Sequence, residues 1–179
     1  MKSELSPGVY HRRDLRLKGY DYALPGAYFI NILAYRRKQL FGGLVEREVR
    51  LNEFGEIVKE TWEWLPKQDS YVELGAFSVM PDHFHGILQI VEIEDTRKGG
   101  SRPALTGYGS VKVKPLDQLI GVLKTVLAKK INLLRSTPGA RVWHRNYYDP
   151  IIRDDAELRK IWDYIVANPR QSDKSRMWI

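Results

Sequence analysis

The stretch YVELGAFSVMPDHFHGILQIVEI, residues 71–93, holds two strand-like runs, 71–79 and 83–93, joined through Met80, Pro81 and Asp82. So short a link makes the second run turn back along the first as an antiparallel pair, because a parallel partner needs a crossover of a dozen residues or more. Within the second run side chains alternate. His83, His85, Ile87 and Gln89 share one face, while Phe84, Gly86, Leu88 and Ile90 share the other. The two imidazoles start roughly 6 to 7 Å apart at the backbone, close enough to converge on one cation. Taken alone, H-x-H spacing fits a pair of surface or core histidines as well as a metal site.

Working outward, AYFINILAY at 27–35 reads as a strand rich in β-branched and aromatic residues, and 46–51 as a second strand after a turn at Gly42 and Gly43. NEFGEIVKETWEWLP, 52–66, carries Phe54, Ile57, Val58, Trp62 and Leu65 at helical spacing, with Asn52 as cap and Pro66 as stop. Residues 94–115 are rich in glycine, serine and basic residues and are expected to form a mobile loop. A helix over 115–134 repeats Leu116, Leu119, Ile120, Leu123, Leu127, Ile131 and Leu134 on one face. Residues 140–153 return to extended chain. A last helix follows, with Asp154 as cap, Glu157 three residues on, and Pro169 beyond its end. The order β, β, α, β, β, α, β, α predicts an α+β domain in which helices pack on one face of an antiparallel sheet. It divides into a basic arm at 1–26, the domain at 27–170 and a short tail at 171–179.

The chain has 179 residues, 43% of them hydrophobic, enough for one packed core and short of two independent domains. It has no cysteine, which removes disulfides and thiolate metal sites and leaves histidine, carboxylate and amide as donors. The N-terminus lacks an apolar core and the apolar runs are too short to span a bilayer, so a cytoplasmic protein with no membrane partner is expected. A net charge of +7 fits a polyanionic partner or a solvated basic surface. The charge concentrates at Arg12, Arg13 and Arg16, at Arg36 and Arg37, at Lys112 and Lys114, and at Lys124, Lys129 and Lys130. These are the candidate contacts to such a polyanion, with tyrosine and tryptophan rings close by that could stack on nucleic-acid bases.

In the last helix Leu158, Ile161, Trp162 and Ile165 form the apolar stripe, and Tyr164 and Asn168, four apart, lie side by side on its flank. They could face one site together. Equally, Tyr164 could cover the edge of the core while Asn168 caps the helix before Pro169.

MPDHFH at 80–85, VWHRNYYDPIIRD at 142–154 and YIVANP at 164–169 together resemble the single-tyrosine HUH transposases, in particular the REP-associated tyrosine transposases and related insertion-sequence enzymes. RLKGYDYALPGAYFINILAYRRKQLFG at 16–42 is similar to that family's first strand and its lead-in, and the resemblance runs from about Arg12 to Pro169. It implies a ferredoxin-like HUH nuclease domain, His83 and His85 as metal ligands, Asn168 as the third ligand and Tyr164 as nucleophile. It also implies Mg2+ or Mn2+ as cofactor and single-stranded or hairpin DNA as partner, with the enzyme a monomer or homodimer. The family usually shows glutamine where this chain has His144, and Tyr147 and Tyr148 are rival nucleophiles on an extended segment without a paired amide.

The chemistry suits these residue types. Tyrosine has an ordinary pKa of about 10 and must lose its proton on attack, which a nearby divalent cation favours. The reaction implied is cleavage near DNA hairpins through a 5′-phosphotyrosine, which keeps the bond's energy for strand transfer. Other classes compatible with the sequence are a non-catalytic hairpin-binding protein, a rolling-circle replication initiator, and a metallohydrolase of small phosphoesters.

Overall fold

The computed structural model describes residues 19–92 and 112–168. The arm with Arg12, Arg13 and Arg16, most of the 94–115 loop and the 171–179 tail lie outside the described residues. In chain order the elements are β1 (Gly26–Ala34), β2 (Gly42–Val45), β3 (Glu48–Leu51), α1 (Glu53–Gln68), β4 (Val72–Met80), β5 (His83–Ile90), α2 (Leu116–Leu134), β6 (Trp143–Tyr148), β7 (Ile151–Ile152) and α3 (Asp155–Ala167). The main sheet has the order β4-β5-β1-β6, with β7 also beside β1, and its strands pair antiparallel. The expected α+β class and the 71–93 hairpin are both present, the second strand ending at Ile90.

β1 occupies the middle because its residues are apolar on both faces. Tyr28, Ile30, Ile32 and Ala34 join α1 and α2 in one core with Trp62, Leu119, Ile120, Leu123 and Leu127. Phe29 points the other way and joins Ile87, Ile152, Ile161 and Ile165 in a second core under α3. Helices therefore cover both faces, not one. The apolar run in β1, broken by Asn31, is what a strand buried on two sides requires, and each apolar side chain so buried stabilises by about 1.5–3 kcal/mol. Gly75 lets α3 approach: a Cβ there would lie 2.9 Å from Ile87 Cβ and 3.3 Å from the Trp162 ring.

Other elements depart from the sequence pattern. Gly42 and Gly43 do not make the turn; they start β2 of a separate hairpin with β3, and Glu46 and Arg47 turn it at φ of +52° and +67°. Gly42 is needed because a Cβ there would meet the Arg50 carbonyl oxygen. Asn52 caps α1 as expected, accepting from the N–H groups of Phe54 and Gly55. The helix passes through Pro66 to Gln68, since a proline one turn from the end removes a single hydrogen bond. Leu134 is exposed at 49% and Trp162 at 45%, so each lies off the buried stripe assigned to it. Asp154 caps α3 by accepting from Glu157 N–H at 2.8 Å. No helix among the described residues is long and apolar enough to cross a membrane.

Candidate active site

β5 is paired on both edges, so the histidine face of its centre can meet only what lies above the sheet. What lies there is α3. His85 is fully buried and sits opposite Asn31 on β1 and Ser78 on β4, while His83 starts the strand opposite Leu33. The two imidazole centroids are 5.1 Å apart. Tyr164 brings its ring to 5.5 Å from that of His85, and the Asn168 amide nitrogen stands 3.4 Å from each ring nitrogen of His85. A half-turn of that amide would bring its oxygen to the same place. Asn168 does cap α3, its N–H donating to the Tyr164 carbonyl, and its side chain is buried on the histidine face, so the two readings of this residue coexist.

Burial sets the electrostatics. Desolvation, with His83 beside it, pushes the His85 imidazole down to about 3, so it stays neutral and able to donate a lone pair. His83 Nδ1 lies 2.7 Å from Asp82 Oδ1. A proton donated there leaves Nε2 free to ligate, the usual arrangement behind a metal-binding histidine. Burial pushes the Asp82 carboxyl up, but the hydrogen bonds from His83 and Arg37 outweigh it and hold the group below its ordinary value. Burial raises the Tyr164 phenol and the Asn168 amide draws it back in part. Asn31, absent from the sequence candidates, contributes a buried carbonyl oxygen that has no hydrogen-bond partner. Its signal was the central strand itself, where a lone amide interrupts an apolar run.

Among the described residues no group of three His, Cys, Asp or Glu side chains gathers to hold a cation. The donor set here is two imidazoles and amides, and it fits a divalent cation: His85 is neutral, His83 is oriented from behind, and one buried carbonyl lacks a partner. Two nitrogens with oxygen donors suit Mn2+ on ligand preference and leave Mg2+ workable.

The remaining candidates fall in different places. Tyr147 pairs with Ile32 and packs in the α1/α2 core, whereas Tyr148 pairs with Asn31 and shares the histidine face, its ring 6.4 Å from Phe29. His144 is exposed on β6, with Nδ1 accepting from Asn146 N–H. Lys114 bonds both Asp69 oxygens with its ammonium, at 2.7 and 3.0 Å, and Val113 beside it packs against the core. Lys124 donates to the carbonyls of His144 and Arg145, and Lys130 to the Thr61 hydroxyl. Lys129 and Lys130 also border a cavity of about 750 Å³ at the C-terminal end of α2, none of whose lining belongs to the histidine site. Lys112 is exposed, Arg36 lies 5.3 Å over the Tyr35 ring, and Arg37 pairs with Asp82 at 3.1 Å.

No family model matches the chain. An uncharacterized protein of Haemophilus influenzae is 33% identical over 181 residues, spanning all of this chain and 99% of that one. A second protein of that organism, named a REP-associated tyrosine transposase, is 25% identical over 150 residues, covering 83% of this chain and 73% of its own length. A solved structure of a REP-associated tyrosine transposase bound to a REP hairpin shares the fold, with a TM-score of 0.56 and 17% identity over 92% of this chain and 75% of that one.

Proposed function

The chain belongs to the REP-associated tyrosine transposase family, and from that premise we propose that it is a metal-dependent single-stranded DNA endonuclease and strand transferase that cleaves near hairpins through a 5′-phosphotyrosine at Tyr164. The observation that carries the reading is the convergence of Tyr164 and Asn168 on His85, more than seventy-five residues away along the chain. A hairpin partner is inferred from the solved relative, whose bound ligand is a REP hairpin.

His83, His85 and Asn168 would hold the cation, Mg2+ or Mn2+. When bound, it polarises the nonbridging phosphate oxygens and lowers the cost of ionising a nearby phenol. The chain's own residues do the rest. Phe29 meets the Tyr164 ring edge-on at 6.3 Å and the ring packs against the second core, which seats Tyr164 beside His85. Tyr164 Oη attacks phosphorus, the bond from phosphorus to O3′ breaks, and the phenol proton leaves so that a free 3′-hydroxyl results. In the reverse step a 3′-hydroxyl attacks the phosphotyrosine and restores a phosphodiester, so no nucleotide cofactor is consumed. Asp82 keeps His83 turned toward the site through a carboxylate that stays ionised.

The deciding experiment incubates the protein with labelled hairpin DNA carrying single-stranded flanks, with Mn2+ or with EDTA, and resolves the products under denaturing conditions. A labelled covalent band in Mn2+ alone is expected. Binding of the hairpin with no such band would make the protein a hairpin binder and overturn the catalytic reading.

A further inference from the structure

The end of the sheet that presents His83 also carries a second concave site. It encloses about 410 Å³ and is lined by Tyr35, Lys38, Arg135, Thr137 and Arg141 among others, with no carboxylate in its described lining. The Arg36 and Arg141 guanidiniums stand 5.3 and 5.5 Å from the centroid of the Tyr35 ring, both within cation–π range. Arg36 and Arg37, the two residues after Tyr35, adopt φ of +57° and +52°. Non-glycine residues held in this region mark places where the surrounding structure over-determines the backbone, as at ligand clamps.

The far wall is equally built. Tyr35 N–H donates to the Val142 carbonyl at 2.8 Å. Asn132 bonds the Ala140 carbonyl at 2.8 Å, accepts from Arg135 Nε at 2.9 Å, and its own carbonyl takes the Thr137 N–H at 2.9 Å. The Tyr35 phenol is drawn below its ordinary value, first by Arg36 and then by Arg141, a mark of positive potential in the pocket. Arg37 joins this turn to the candidate active site, bonding the Asp82 carboxylate whose other oxygen meets His83. Leu33, opposite His83, is two residues from Tyr35.

We propose that this pocket takes one nucleotide of single-stranded DNA flanking the cleaved phosphate, its phosphate held by Arg36, Arg141 and Lys38 and its base laid against the Tyr35–arginine layer. The inference rests on the single-stranded DNA reading above. The cations supply the phosphate contacts, and an unpaired base offers the π-face that a duplex keeps stacked. The volume suits a nucleotide and excludes a double helix.

The test is fluorescence anisotropy of a labelled oligothymidylate, and of a blunt duplex as comparison, in EDTA over a series of salt concentrations. Proteins compared are wild type, Arg141→Gln, Tyr35→Leu and Tyr35→Phe, each checked for an unchanged thermal midpoint. Arg141→Gln is expected to weaken single-strand binding about tenfold and to reduce the salt slope by roughly 0.7, the value for one phosphate. Tyr35→Leu is expected to weaken it by about tenfold while Tyr35→Phe, which keeps the ring, stays near wild type. Unchanged single-strand affinity in both Arg141→Gln and Tyr35→Leu overturns the proposal. So does an equal loss on the duplex, which makes the site a general basic patch, and so does failure of wild type to bind the oligonucleotide. Since no divalent cation is present, a missing Tyr164 adduct in the cleavage assay overturns only the catalytic reading.

Discussion

His85 ties the fold's stability to the state the proposed chemistry needs, and the size of that link follows from its burial. An unfolded histidine titrates near 6.5, whereas the folded site holds His85 down at about 3. Between those values the unfolded chain binds a proton that the folded chain refuses, so stability falls as pH falls. It is fully present above about 6.5 and is lost progressively toward 3. At 1.36 kcal/mol per unit, moving from pH 7.5 to pH 5 removes about 2 kcal/mol through this one group. Asp82 does not confuse the window, because its depressed carboxyl stays ionised at pH 5. The assay is urea unfolding in EDTA at both pH values, for wild type and for His85→Gln, which has no ring to titrate. Wild type should lose about 2 kcal/mol more than the variant. Equal losses in the two proteins would refute the reasoning, and would mean that water reaches the imidazole and lets it charge in place.

Tyr164→Phe should abolish the covalent adduct and leave hairpin binding nearly intact, while Tyr148→Phe keeps the adduct; the reverse result on a denaturing gel assigns the nucleophile to Tyr148. Asn31→Asp buries a carboxylate where a carbonyl now lacks a partner, so it should lower the thermal midpoint in EDTA and gain more from Mn2+ than wild type does. If Mn2+ shifts both midpoints equally, Asn31 is out of the cation's reach. Lys114→Ala should cost no more than about 1 kcal/mol, as a part-exposed ion pair does, and should leave the salt dependence of DNA binding as it was. A slope reduced in titrations of that variant would return Lys114 to the DNA surface.

Local features were legible because they depend on neighbours along the chain. The 71–93 hairpin follows from its short link, and the caps at Asn52 and Asp154 from side chains that reach N–H groups two or three residues on. The shared face of His83 and His85 follows from strand alternation, and the adjacency of Tyr164 and Asn168 from the pitch of a helix. The Gly42–Gly43 pair was misread for a related reason. Glycine signals a turn or a close approach alike, and only the Arg50 carbonyl, brought up by pairing with β3, shows which one applies.

The sequence by itself determined an α+β protein with an antiparallel sheet, two histidines on one strand face, and a tyrosine and an amide on one helix flank. Tertiary structure alone decided that these two half-sites meet, because the periodicity of α3 says which side is apolar and not which face of the sheet it covers. With α1 and α2 filling one face, α3 takes the other, where Gly75 leaves room for it and Phe29 and Ile87 offer an apolar bed. The same placement separated Tyr148 from Tyr147, gave Asn31 a place opposite His85, and tied up Lys114 on Asp69. Each of these depends on groups far apart in the chain, whose approach is set by which apolar surfaces must be buried together.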